Sequence, residues 1–147
     1  MTGEFAIAVH ALVYLYHKDE VLSSEELAEN ICTNPARVRK IMAELKKKGL
    51  VQTKEGIRGG YHIADGAADA TLGDICAALE EDVVKASWKS GSMDMDCMIA
   101  SGMAGFMDTI YSDMDGLCKE YLKKITIKDV EKKVTGCPKR RSREMSG

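Results

Sequence analysis

The sequence predicts a mostly α-helical chain that carries one small β-hairpin, and three observations carry that prediction. Apolar residues recur at threes and fours through the first half-hundred residues and again beyond residue 98. One pair of short segments, 50–53 and 61–64, breaks that rhythm and is joined by a glycine-bearing turn. Ser23, Asn34 and Thr71 each stand just ahead of a periodic stretch, where a helix needs a side-chain acceptor for its unpaired N–H groups.

Taken in order, residues 4–17 place Phe5, Val9, Leu12, Val13 and Tyr16 at helical spacing with Ala6, Ala8 and Ala11 between them, which predicts a largely buried first helix. His10 is expected to be a satisfied core residue of that helix. Ser23 with Glu26 forms a capping box for a short second helix reaching about Ile31. Asn34 is a good N-cap for a third, and Pro35 suits its first position because a missing N–H costs nothing there. Val38, Ile41, Met42 and Leu45 share one face of this helix, and Gly49 ends it. The hairpin follows, with Gly59 and Gly60 free to take the positive φ of a tight or bulged connection. Thr71 and Asp74 cap a fourth helix over 72–81. Residues 83–98 mix Ser, Gly, Met and Asp with Trp88 and Cys97 and predict a mobile loop. From 99 to 124 a long helix returns, with Met103, Phe106, Ile110, Met114, Leu117 and Tyr121 forming a narrow seam of the kind two helices share.

The totals exclude several classes. The chain has 147 residues, 45% hydrophobic and 30% charged, ordinary for a globular domain. No run of about 18 apolar residues occurs, so no membrane partner is expected. The apolar start lacks a cationic leader and a small-residue cleavage site, so a cytoplasmic location is expected. Five cysteines, an odd number with no CxxC pair, argue against a disulfide framework or a zinc ribbon. No glycine-rich nucleotide loop, nucleophile elbow or HExxH motif is present, so no enzyme is expected.

Charge is more informative by position than in sum. The net value is −2, yet residues 33–61 hold eight bases (Arg37, Arg39, Lys40, Lys46, Lys47, Lys48, Lys54, Arg58) against Glu44 and Glu55, a balance of +6. A basic patch of that density attracts phosphates even on a slightly acidic chain. Helix, short helix, turn, capped basic helix and hairpin, in that order, make a winged helix-turn-helix, whose second helix enters the major groove N-terminal end first. Double-stranded DNA is therefore the expected partner. Asn34, Pro35, Arg37, Arg39 and Lys40 are the candidate contacts on the helix, and Arg58, Gly59, Gly60 and Tyr61 those on the wing. The glycines would let the wing backbone approach the duplex, and Tyr61 would pack at the wing base or donate its hydroxyl to a phosphate. Lys46, Lys47 and Lys48 are weaker candidates, because a helix C-terminus favours cations for dipole reasons alone.

The stretches "FAIAVHALVYL", "SSEELAENICTNPARVRKIMAELKKKGLV", "GIRGGYHIA" and "TLGDICAALE" resemble the Rrf2 family of bacterial winged-helix repressors, over roughly residues 3–82 and more loosely through the long helix. The resemblance implies a homodimer formed largely through the long helix, a palindromic operator, and contacts from the Asn34 to Lys40 region and Arg58. It divides the chain into a DNA-binding domain (1–82), a sensor or linker loop (83–98), a dimerisation helix region (99–134) and a basic tail (135–147) expected to lack structure. Cluster-bearing members carry three cysteines about six apart in the loop. Here the loop has Cys97 alone, so no iron–sulfur cluster and no metal ligand set is expected.

What the chain senses is open at this level. Cys97 is a candidate redox or electrophile sensor, although Asp94 and Asp96 are expected to raise its pKa unless Lys85 or Lys89 offsets them. Cys32, in the helix-turn-helix corner, is either its mate or a small buried residue filling the turn. Cys76 and Cys118 are expected in the core. Met93, Met95, Cys97 and Met98 are soft donors that suit Cu(I), but methionine more often fills gaps. Control by a regulatory protein partner or a small ligand, and a non-DNA-binding interaction module built on the long helix, remain as alternatives.

Overall fold

The computed structural model describes residues 3–136. Six helices and one two-stranded sheet form in the order α1 (Gly3–Lys18), α2 (Ser24–Ile31), α3 (Pro35–Lys47), β1 (Val51–Lys54), β2 (Gly60–Ile63), α4 (Leu72–Ala78), α5 (Met98–Leu122) and α6 (Ile127–Thr135), with a 3-10 turn at Ala67–Asp69. This is the mostly helical winged helix-turn-helix that the sequence predicts.

The core is built on α1, but on a face that the sequence spacing only half identifies. Ile7, Ala8, Ala11, Leu12 and Leu15 are its buried residues and meet Leu27, Val38, Ile41, Met42, Leu45, Ile75 and Ile127. Phe5, Val9 and Val13 lie on the flank, packed against the core but partly exposed. His10 is not a core residue: its side chain is exposed and its Nε2 lies 2.8 Å from Asn30 Oδ1. Ala8 and Ala11 bring this face of α1 close to its neighbours beside Ile7, Leu12 and Leu15, and this leaves Phe5, Val9 and Val13 at its edge.

Helix ends follow the capping residues. Ser23 Oγ accepts from Glu26 N at 3.1 Å, Asn34 Oδ1 from Arg37 N at 2.8 Å, and Thr71 and Asp74 exchange a reciprocal capping box. Gly49 takes φ +75° after α3, while Leu50 N returns to Leu45 O at 3.0 Å, the bonding of a Schellman end. Cys32 holds the equivalent place after α2 at φ +65°, with Thr33 N bonded to Ala28 O at 3.0 Å. A side chain in that conformation costs about 1 kcal/mol relative to glycine. The fourth helix ends three residues earlier than its 72–81 expectation. Glu80 turns left-handed at φ +53° and Glu81 N closes on Cys76 O.

β1 and β2 pair antiparallel, Val51 with Ile63 and Lys54 with Gly60, and Tyr61 exchanges two backbone hydrogen bonds with Leu22. α5 matches the long helix expected over 99–124, and beyond it the structure adds an element not expected from the sequence. Residues 127–135 form a separate helix, opened by a Thr126 and Asp129 capping box, which folds back along α1. Leu72 N bonds Ile125 O at 2.8 Å and Ile127 N bonds Ala70 O at 3.0 Å, fixing the turn between α5 and α6. The basic tail expected over 135–147 lies, from residue 137 onward, outside the described residues, as does Cys137.

Candidate nucleic-acid interface

Burial of Val38, Ile41, Met42 and Leu45 at 0–1% exposure turns the rest of α3 outward, and Arg37, Arg39 and Lys40 are exposed at its N-terminal half. Asn34 and Pro35 set where that face begins: the Asn34 cap and the Pro35 ring fix the first turn. Two neighbours flank the face. On one side, the Arg37 guanidinium lies against Gly3, and Lys40 Nζ pairs with Glu4 Oε1 at 3.5 Å. On the other, Arg39 Nη1 donates to Ser24 Oγ at 3.1 Å and sits 3.7 Å from Glu25 Oε1. These acidic partners went unnoticed in the sequence. Their signal is faint there, since Glu4 and Lys40 stand 36 residues apart. Both pairs are exposed and salt-screened, so each contributes at most about 1 kcal/mol and is readily exchanged for a phosphate. The Glu25 carboxyl is held below its ordinary pKa, chiefly by a backbone N–H bond and by the Ser24 hydroxyl, with Arg39 adding to them.

The wing is tied to the same region. A Cβ on Gly60 would lie 2.3 Å from Leu22 O and 3.0 Å from Ser23 N, so the β2 backbone rests directly on the α1–α2 corner. The next residue, Ser24, receives Arg39. Thus the corner joins the wing to the recognition helix. A Cβ on Gly59 would meet Lys54 O at 2.3 Å. Both glycines are therefore demanded by the fold of the wing itself, in line with the hairpin connection expected of them, although Gly60 and not Gly59 has a positive φ. Tyr61 is half-buried against the core, the wing-base option of the two expected for it. Arg58 is fully outward at the tip beside Ile57, which is wholly exposed. Among the described residues, neither Arg37 nor Arg58 has an ion-pair partner.

The decisive comparison is with families. The model described as "Rrf2: Iron-dependent Transcriptional regulator" matches residues 1–133. The chain belongs to the Rrf2 family. Among its relatives, the HTH-type transcriptional regulator IscR of Photobacterium profundum is 25% identical over 127 residues, covering 85% of this chain and 70% of that one. Of solved structures, a Lactobacillus plantarum protein described as a transcriptional regulator superposes with a TM-score of 0.78 at 25% identity, over 99% of both chains. CymR of Bacillus subtilis, the global cysteine regulator, superposes at 0.64 with 19% identity, over 89% of this chain and 95% of that one, a likeness of fold. Rrf2 proteins are DNA-binding transcription regulators. No helix among the described residues is long and apolar enough to cross a membrane.

The donor set available for iron in this Rrf2 chain is thin. Among the described residues no three His, Cys, Asp or Glu side chains are grouped to hold a metal ion. Met93, Met95 and Met98 are exposed. Cys32, Cys76, Cys97 and Cys118 are free thiols. Cys76 is buried, donates to Glu81 O at 3.2 Å, and is pushed above the ordinary thiol pKa by that burial. Cys118 is half-buried. Cys32 is exposed, so it does not fill the turn, and its Sγ faces Glu29 O. Cys97 is the N-cap of α5, and its pKa is lowered, first by the Ala100 N–H and then by that of Ile99. The direction is opposite to the one expected from the sequence: the amides at the helix start lower it, and Lys89 pairs with Asp108 at 3.4 Å.

Proposed function

We propose that this chain is a homodimeric transcriptional repressor that grips a palindromic operator in double-stranded DNA and works without an iron–sulfur cluster. The observation that carries the reading is the outward set of cations: Arg37, Arg39 and Lys40 on the first turns of α3, and Arg58 at the wing tip, held in one assembly by the Gly60, Leu22 and Ser24 corner. Asn34, Pro35 and Tyr61 fix the two elements. Arg37 and Arg58, without an ion-pair partner among the described residues, reach base edges or the adjacent narrow groove, while Arg39 and Lys40 leave their carboxylates for phosphates.

Dimerisation is supported by the surface of α5. Phe106 is 60% exposed, Leu117 72% and Tyr121 62%, an apolar stripe that a single copy leaves in water. A groove of about 510 Å³ between α1 and α6, lined by Phe5, Val9, Val13, Leu72, Val130 and Val134, adds apolar surface for a second copy. Oxidation or electrophile modification of Cys97, at the head of that helix, is the proposed signal. Its lowered pKa and its exposure favour it, whereas Cys76 is buried.

Electrophoretic shift of a random duplex at rising salt tests the DNA reading. Binding that weakens steeply with salt is expected, and no shift at any salt overturns it. Loss of binding on oxidant treatment that persists in Cys97→Ser removes the thiol from the account.

A further inference from the structure

Helix α5 is long and nearly unsupported. Among the described residues its main packing partner is the short α4, and the one buried residue it contributes is Asp115, 9% exposed. A buried carboxylate on an outward helix needs a reason. Its Oδ1 accepts two backbone hydrogen bonds from the segment that leaves α4, Val83 N at 2.6 Å and Val84 N at 2.9 Å. Its Oδ2 lies 2.8 Å from Lys119 Nζ, one turn along the helix, and the same Nζ reaches Asp82 Oδ1 at 3.0 Å. Asp115 and Lys119 together thus tie three consecutive residues of the α4–α5 connection, Asp82, Val83 and Val84, to the middle of α5. We propose that Asp115, with Lys119, is a positioning residue that sets the direction of α5 relative to the winged helix and thereby the spacing of the two half-sites a dimer reads.

The geometry gives the reason. The far end of α5 is already fixed by the Leu72 and Ile125 bond, and by the approach of Gly73 to Lys123, where an added Cβ would come within 2.9 Å of Lys123 Cγ. Asp115 lies seven residues before Leu122, the last residue of α5, about 10 Å along the helix from that end. Two anchors that far apart define a direction, whereas one leaves a pivot. The helix extends from that pivot for 25 residues, about 37 Å. A 10° swing would carry its N-terminal end about 6 Å, nearly two base-pair steps of about 3.4 Å. Recognition helices in such dimers must meet grooves about 34 Å apart, so a swing of that size spoils the register.

This role rests on the DNA-binding dimer proposed above. The test uses full-length protein and palindromic duplexes enriched from a random library by the native chain, with one or two base pairs then inserted or removed at the centre. The native chain is expected to prefer its own spacing by about tenfold, because each inserted or removed pair shifts one half-site by about 3.4 Å relative to the recognition helix that must meet it. Asp115→Ala is expected to keep its helix content and dimer mass, bind a single half-site as before, and lose most of the spacing preference, to within about threefold. Asp115→Asn and Lys119→Met, which preserve volume, are read in the same assay should the alanine variant fail to fold. Variants that keep the native spacing profile overturn the proposal. A native chain that shifts no duplex overturns the DNA reading instead, a distinct outcome.

Discussion

Replacing Lys40 by glutamine should flatten the salt dependence of duplex binding by a calculable amount. Arg39 and Lys40 are the cations placed on phosphates, so two copies neutralise four, and a loss of about 0.9 in slope per neutralised phosphate gives log K against log salt a slope of about −3.6. Lys40→Gln removes one of these per copy and should bring the slope to about −1.8. Between about 50 and 200 mM salt the native chain then weakens by roughly 150-fold and the variant by roughly 12-fold. The Glu4 pair changes this little, because an exposed pair costs at most about 1 kcal/mol to open, a factor of at most about five that shrinks as salt screens it. Fluorescence anisotropy of a labelled duplex across that range measures both slopes. A variant whose slope matches the native one would show that Lys40 does not meet DNA, and would refute the placing of that face of α3 against phosphates.

Other outcomes follow from the same coordinates. Leu117→Asp puts a charge into the exposed stripe of α5 and should yield monomers in sedimentation at concentrations where the native chain is dimeric, since each buried leucine side chain stabilises by about 1.5–3 kcal/mol. Iodoacetamide at neutral pH should label Cys97 well before the buried Cys76, and the rate at Cys97 should rise with a midpoint below that of an ordinary thiol, because the Ala100 and Ile99 N–H groups favour its thiolate. Asp115 is held below the ordinary carboxyl pKa by Lys119, Val84 and Val83. Its contribution to stability is therefore complete above about pH 4 and lost as acid protonates it, so the gap in melting temperature between native and Asp115→Asn protein should narrow on moving from pH 7 toward pH 3. Cys32→Gly relieves the left-handed position at the end of α2 and should raise stability by about 1 kcal/mol in thermal unfolding.

Much of this molecule is written locally. Ser23, Asn34, Thr71 and Gly49 announce helix ends through one-residue chemistry, and the basic run of α3 is contiguous, so both survive in the linear order. What escaped is either long-range or atypical. The Thr126 and Asp129 box with Ile127, Val130 and Val134 does signal α6, but its nine residues lie just past the expected end of the long helix at 124 and carry a short apolar pattern that the longer seam overshadows. Cys32 performs a task usually given to glycine, so its left-handed turn left no compositional mark. The face of α1 was half-identified because alanines, which small-residue packing buries first, carry little weight in a reading led by large side chains. The pairing of Arg39 with Ser24, and of Asp115 with the Val83 and Val84 amides, joins residues 15 and about 31 positions apart that only the fold brings together.

Glu4 and Glu25 have a kinetic consequence in the proposed role. They are anions covalently attached beside two of the cations meant for DNA, so every encounter with a duplex begins as an exchange rather than a free capture. On arbitrary sequence the exchange returns little, and the chain lets go quickly. Only where Arg37 and Arg58 also find matching bases does the residence lengthen, which shortens the search among wrong sites without adding a single contact to the right one.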